Sequence, residues 1–167
     1  KRMRKESLQG DMKFISLLEK MGCTVSWERD GRQNLWLKGP DGKLKGMEVK
    51  MSDFSDQALT LAAIAPFADS EVTITGIAHI RGQESDRIKV IVDELAKMGI
   101  LCNELPDGVK IHPGTPKNTN IETYNDHRVA MSFAVTGLAG DGMTILNPMC
   151  CKKTFAGFFD EIDRLEE

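Results

Sequence analysis

Two hydrophobic periods alternate along the chain. Phe14, Leu17, Leu18 and Met21 fall at i, i+3, i+4 and i+7, the spacing that lines one face of an amphipathic helix, and Gly22 follows as its closing residue. Ile88, Ile91, Val92, Leu95 and Met98 repeat that stripe, with Gly99 in the closing place. After each helix the period shortens to two. Cys23-Thr-Val-Ser-Trp27 and Asn34-Leu-Trp-Leu-Lys38 predict a hairpin about Asp30-Gly31, and residues 101–105 and 109–112 predict another about Asp107-Gly108. The Asp-Gly pair supplies the positive φ that tight turns need. Each hairpin leads through a polar loop to a second helix, Asp56 to Phe67 and Asp126 to Leu138. These helices are apolar nearly all round, so they belong in the interior. The β-rich runs Glu71-Val-Thr-Ile-Thr-Gly76 and Gly142-Met-Thr-Ile-Leu-Asn147 follow them.

The pattern is an internal repeat. Met21 aligns with Met98 at an offset of 77 and Asp56 with Asp126 at an offset of 70, the difference being loop length. The predicted units span residues 6–77 and 78–147, each running helix, strand, strand, helix, strand, and residues 153–165 predict one further amphipathic helix. A chain that enters at a helix and stops at the first helix of a new unit reads as cut from a longer repeat protein. End-to-start closure is the alternative. The fold class is α/β, built of repeated units around buried helices.

At 167 residues with 41% apolar positions, the chain can bury a core without disulfides or structural metals. Twenty-two Lys and Arg against 25 Asp and Glu exclude general attraction to nucleic acid, so an anionic partner needs a local cluster of cations. The longest apolar run, Ala58 to Ala68, contains Thr60 and Pro66 and falls well short of the roughly 20 residues that span a bilayer, so no membrane partner is expected. Lys1-Arg2-Met3-Arg4-Lys5 is followed by polar residues rather than the apolar stretch of a signal peptide, and reads as a solvated end. Cys23, Cys102, Cys150 and Cys151 form no CxxC pair and suit buried thiols in a reducing cytoplasm.

Polar clusters stand at five predicted helix starts: Gln9-Gly10-Asp11, Ser55-Asp56-Gln57, Glu84-Ser85-Asp86-Arg87, Asn125-Asp126-His127-Arg128 and Lys152-Lys153-Thr154. Capping accounts for Asp11 and Ser55. It does not account for Arg87, Arg128 and Lys153, because a cation at a helix N-terminus opposes the macrodipole. Three such ends predict a multiply anionic ligand held by N–H groups and side-chain charge together. Asp56 and Glu84 are placed to act as base and acid beside those cations. His127, between Asp126 and Arg128, is read either as a proton carrier or substrate hydrogen-bonder, or as a satisfied structural histidine. His79 and His112 fall in or near strands. No His, Cys, Asp and Glu grouping has metal-ligand spacing, and no glycine-rich nucleotide loop occurs, so neither a metal nor a nucleotide cofactor is expected.

In order along the chain, Ser7-Leu-Gln-Gly-Asp11, Leu18-Glu-Lys-Met-Gly22, Ser55-Asp56, Arg81-Gly-Gln-Glu-Ser-Asp-Arg87, Tyr124-Asn-Asp-His-Arg-Val-Ala-Met131 and Lys153-Thr-Phe155 resemble the C-terminal part of the 5-enolpyruvylshikimate-3-phosphate synthase family. The resemblance implies a two-domain enzyme of six βαβαββ units, three per domain, in an inside-out α/β barrel that closes on its substrates. Residues 1–167 would form a partial domain of about two units and the start of a third, with an N-terminal domain missing. The implied reaction moves the enolpyruvyl group of phosphoenolpyruvate to the 5-hydroxyl of shikimate 3-phosphate and releases phosphate, with no metal or organic cofactor. By position, Asp56 resembles the carboxylate that binds the shikimate hydroxyls and accepts a proton. Glu84 resembles the residue that protonates the enol carbon. Arg87, Arg128 and Lys153 resemble the clamp on phosphoenolpyruvate, with His127 beside them.

The chain departs from the family at two positions near the shikimate phosphate, carrying His79 where Asn is usual and Gln83 where Lys is usual. Gln donates a hydrogen bond but brings no charge. Two alternatives stand beside this reading: a UDP-N-acetylglucosamine enolpyruvyl transferase relative, whose family lacks the Asn-Asp-His-Arg run and the terminal Lys-Thr-Phe, and a non-catalytic repeat or binding module.

Overall fold

A computed structural model describes residues 10–27 and 34–165. The elements run α1 (Gly10–Lys20), β1 (Thr24–Trp27), β2 (Leu35–Lys38), β3 (Met47–Lys50), α2 (Ala58–Ile64), β4 (Val72–Thr75), α3 (Arg87–Lys97), β5 (Cys102–Leu105), β6 (Gly108–Ile111), β7 (Asn120–Ile121), α4 (His127–Ala139), β8 (Thr144–Ile145) and α5 (Phe158–Asp163). Short 3-10 turns flank α2 at Ser55–Gln57 and Ala65–Phe67, and others occupy Ala78–Gly82 and Pro148–Lys153. Among the described residues the order helix, three strands, helix, strand occurs twice, one strand more each time than the pattern predicted. β3 and β7 sit inside what read as polar loops. Each is short, and each pairs in parallel with the strand that follows the buried helix: Met47 with Val72 and Val49 with Ile74, then Asn120 with Thr144.

Both first helices end in the same way. Gly22 N–H donates to the Glu19 carbonyl and Cys23 N–H to the Leu18 carbonyl, while Gly99 and Ile100 make the matching bonds to Ala96 and Leu95. Gly22 and Gly99 have φ of 103° and 78°, the left-handed conformation this closure requires. The second hairpin differs from expectation. Its loop is Pro106-Asp107, since Leu105 pairs with Gly108 inside the ladder. Gly108 is needed for space rather than for a turn: a Cβ there would lie 1.8 Å from the carbonyl oxygen of Ile74 on the adjacent strand β4. The predicted turn at Asp30-Gly31 lies outside the described residues.

The four-stranded sheet has the order β3-β4-β6-β5, and β1-β2 and β7-β8 form two-stranded sheets. The core lies between these strands and helices α2 and α3, with Leu59, Leu61, Ile74, Ile88, Ile91, Leu95, Met98 and Val109 buried. Helices α2 and α4 pack side by side and parallel. Near their starts Arg128 reaches Asp56, and near their ends the buried Thr136 hydroxyl donates to the Ala63 carbonyl at 2.8 Å. Alanines at 58, 62 and 63 on α2 allow the close approach. Burial of α4 is one-sided: Val129, Ala130 and Phe133 are enclosed, whereas Val135 and Leu138 reach the surface.

The helix predicted over 153–165 is shorter than its pattern. Residues 148–153 form a 3-10 turn, and α5 begins only at Phe158. Lys153 therefore ends a turn rather than opening a helix, and its charge favours the local carbonyls instead of opposing the dipole.

Candidate active site

The N-terminal ends of α2, α3 and α4 and the end of the Pro148–Lys153 turn converge on one ionic network. Arg87 is the first residue of α3 and is almost wholly buried. Its Nε lies 2.8 Å from Oδ2 of Asp126, a carboxylate with no solvent exposure. The same guanidinium donates to the Gln83 side-chain carbonyl and reaches Asp56 Oδ1 at 3.6 Å. Arg128 grips Asp56 twice, 3.0 Å to the backbone carbonyl and 3.0 Å to Oδ2. Lys153 Nζ meets Glu84 Oε1 at 2.8 Å, and His127 Nδ1 lies 3.2 Å from the other oxygen of Glu84. His79 Nε2 joins the rim through the Ser55 hydroxyl at 2.8 Å, next to Asp56.

Asp56, His79, Gln83, Glu84, Arg87, His127, Arg128 and Lys153 thus lie in one connected region, although 97 positions separate the first from the last. Only Arg87 and Arg128 of the three cations stand in the first turn of a helix. The anions between them are the protein's own carboxylates.

Asp126, which aligns with Asp56 in the repeat and opens the helix predicted to Leu138, is not among the residues predicted to carry chemistry. It caps α4 by accepting from Arg128 N–H at 2.9 Å, accepts from the Ser85 hydroxyl at 3.1 Å, and neutralises Arg87. Burial by itself would raise its carboxyl. The bonds from Arg87 and Arg128 N–H outweigh that and hold it below the usual carboxylate range. The legible signal was that a cation at a helix N-terminus, where it opposes the macrodipole, calls for an anion beside it. Asp86 caps α3, accepting from Lys89 N–H at 3.1 Å. Ser55 does not cap: its hydroxyl is committed to His79, and the turn it opens has no side-chain cap. The Asp11 side chain lies outside what is described.

The Lys153 ammonium holds the Glu84 carboxyl below its ordinary range. Lys153 is placed by the two cysteines before it, which pack on Ala130; the Cys151 thiol donates to the His127 carbonyl at 3.8 Å. Burial pushes the Cys151 thiol up to about 12, so it serves as a packing group.

Glu84, Asp126 and His127 do bring three ligand-type atoms within 4.8 Å of one another, a grouping the sequence spacing did not reveal. Arg87 and Lys153 already neutralise the two carboxylates, so this donor set is poorly suited to a divalent cation. A wider, mainly apolar hollow between α4 and α5, lined by Leu138, Met143, Met149 and Phe159, holds none of the predicted site residues. A polar cleft lined by Ser52, Asp53, Ser55, Asp56, Gln57 and Arg128 opens directly onto the network.

The sequence profile of EPSP synthase (3-phosphoshikimate 1-carboxyvinyltransferase) matches residues 1–162. The chain belongs to the EPSP synthase family. It is 45% identical over 167 residues to the 3-phosphoshikimate 1-carboxyvinyltransferase of Nostoc punctiforme, covering all of this chain and 38% of that protein. With the enzyme of Proteus mirabilis it shares 41% over 159 residues, 95% of this chain and 36% of that one. Among solved structures, EPSP synthase from Acinetobacter baumannii superposes with a TM-score of 0.76 at 29% identity, over 90% of this chain and 38% of that chain. The enolpyruvyl transferase NikO of Streptomyces tendae shares the fold, with a TM-score of 0.72 at 21% identity over 92% of this chain and 34% of that one. The chain therefore spans little more than a third of these EPSP synthases, and its α/β architecture is that of the enolpyruvyl transferases.

Proposed function

We propose that this chain carries one side of an active site that transfers the enolpyruvyl group of phosphoenolpyruvate to the 5-hydroxyl of shikimate 3-phosphate and releases phosphate. The observation that carries the reading is the convergence of Arg87, Arg128 and Lys153 on two carboxylates, Asp56 and Glu84. Cations meant only to stabilise the fold need no titratable, half-exposed partners. Cations meant to hold a phosphate and a carboxylate need partners that yield.

In the reaction, Asp56 binds the shikimate hydroxyls and takes the proton of the 5-hydroxyl as its oxygen bonds to the enol carbon that bears phosphate. Glu84 gives a proton to the terminal enol carbon, forming a tetrahedral intermediate. Loss of a proton from that carbon and departure of phosphate restore the double bond. Arg87, Arg128 and Lys153 hold the charge of phosphoenolpyruvate, and His127 hydrogen-bonds beside Glu84. His79 and Gln83 face the shikimate phosphate, the latter without charge. No metal or organic cofactor enters the scheme.

Units 6–77 and 78–147 with segment 153–165 make up a partial domain in this reading, and the rest of the site comes from a further domain matching the relatives' remaining length. The free cysteines suit a reducing compartment, the cytoplasm. Among the described residues, no helix is long and apolar enough to cross a membrane.

Titration of the chain with phosphoenolpyruvate and shikimate 3-phosphate, followed by backbone amide shifts, tests the proposal. Changes centred on residues 55–56, 84–87, 126–128 and 153 are expected, with little or no phosphate released. Silence at those positions favours a non-catalytic module, and phosphate release at the rate of a full-length relative overturns the need for a further domain.

A further inference from the structure

The buried carboxylate of Glu94 takes no part in the reaction outlined above, yet it is fully enclosed and fully engaged. It accepts from the Tyr124 hydroxyl at 2.9 Å, from Glu122 N–H at 3.2 Å and from Lys97 Nζ at 2.7 Å. Its exposure is zero. Two of its three partners belong to the segment that leads into α4, and that segment has an unusual backbone.

Tyr124 and Asn125 have φ of 51° and 56°, and Asp126 N–H donates to the Thr123 carbonyl at 2.8 Å. Two successive left-handed residues under such a bond make a primed turn, a conformation that normally selects Gly, Asn or Asp. Asn125 fits that preference. Tyr124 does not, because a bulky side chain at positive φ is strained and holds that shape only when its surroundings over-determine it. The turn ends on Asp126, so its shape sets where Asp126, His127 and Arg128 begin.

Glu94 lies seven residues after Arg87 on α3, two helical turns along the same face. Helix α3 thus grips this segment at two heights: Arg87 holds Asp126, and Glu94 holds Tyr124 and Glu122. We infer that Glu94 is a positioning residue for the candidate active site, its carboxylate fixing the left-handed Tyr124-Asn125 turn from which Asp126, His127 and Arg128 are presented. What the presented residues then bind rests on the proposed function; the positioning itself does not.

Tyr124 is the sole tyrosine in the sequence, so its phenol is a clean reporter. Burial, then the bond to Glu94, raises it well above the ordinary tyrosine range. The test compares the wild-type chain with Glu94→Gln, Tyr124→Phe and the double variant Glu94→Gln with Tyr124→Gly. Amide shifts and HN–Hα couplings of residues 122–128 are read without ligand, and phosphoenolpyruvate is the binding probe.

Glu94→Gln is expected to move the Tyr124 and Asn125 couplings off left-handed values, to shift the amides of residues 126–128, and to weaken phosphoenolpyruvate roughly tenfold, the scale of a buried bond to a charged group. Tyr124→Phe is expected to shift the same amides in the same direction by less, since the Glu122 bond remains. Glycine at 124 accepts positive φ at no steric cost, so the double variant is expected to recover the wild-type amide positions at 126–128. A defect that arose from general loss of stability would not be rescued by adding a glycine. Unchanged couplings and amides in Glu94→Gln would overturn the inference whatever the ligand does. If the amides respond as expected while wild-type chain ignores phosphoenolpyruvate, the positioning stands and the proposed substrate falls.

Discussion

Arg87 and Asp126, 39 residues apart and both buried, meet at 2.8 Å between the starts of two successive helices. Removing Asp126 leaves the buried Arg87 with the longer contact to half-exposed Asp56 in place of its close, enclosed counter-ion. Asp126→Ala is therefore expected to cost about 3–5 kcal/mol of unfolding free energy, the range for breaking a buried pair. Urea denaturation measures it, and a loss smaller than about 1 kcal/mol would place the pair among weak surface contacts.

Acid should loosen the same corner of the molecule. Asp126 and Glu84 both have carboxyls held below their ordinary values, by Arg87 with Arg128 N–H and by Lys153 respectively. A depressed folded-state pKa contributes stability that is present above the unfolded value of about 4 and is lost as pH falls through the folded value. The urea midpoint should stay level near neutrality and fall below about pH 4. In Asp126→Asn that acid slope should be shallower.

The hold of Lys153 on Glu84 is directly readable. In Lys153→Met the side-chain carbon resonance of Glu84 should titrate at higher pH than in the wild type, because its largest lowering influence is gone. An unchanged titration would mean that the 2.8 Å contact is not kept in solution.

Arg128 spans the Asp56 carbonyl and carboxylate with two nitrogens of one planar fork. Lysine carries the charge but cannot make both bonds in that geometry. Arg128→Lys should weaken phosphoenolpyruvate roughly tenfold in calorimetric titration, about the value of one charge-assisted bond. Equal affinity would show that charge alone suffices.

Gly108→Ala should destabilise by about 1–3 kcal/mol or more, since the new methyl has to displace the backbone of strand β4. Gly39→Ala, with open space around the added carbon, is the control and should stay within about 0.5 kcal/mol. Thermal unfolding compares them.

The sequence revealed the repeat, both Gly-closed helices and the two buried helices because each rests on local periodicity or on a residue type with one conformational use. Strands β3 and β7 were hidden. They are four and two residues long, and their partners lie across a helix, so no short-range alternation marks them. The eight candidate residues that the network joins were legible through charge at helix starts and through family likeness, whereas Asp126 and Glu94 were not. Their importance lies in burial and in partners on distant segments, which spacing does not display. Lys153 lies in the same network as the arginines, but the helix start that grouped it with them is absent, since it sits at the end of a turn.

The network has a further consequence in its arithmetic of charge. Three cations, Arg87, Arg128 and Lys153, face three carboxylates, Asp56, Glu84 and Asp126, so the resting vestibule is electrically even. Under the proposed function, an incoming dianion that recruited Lys153 would strip Glu84 of its counter-ion and raise that oxygen's appetite for hydrogen. Arrival of such a guest and uptake of a proton would then be one event, arming Glu84 only when there is something for it to act upon.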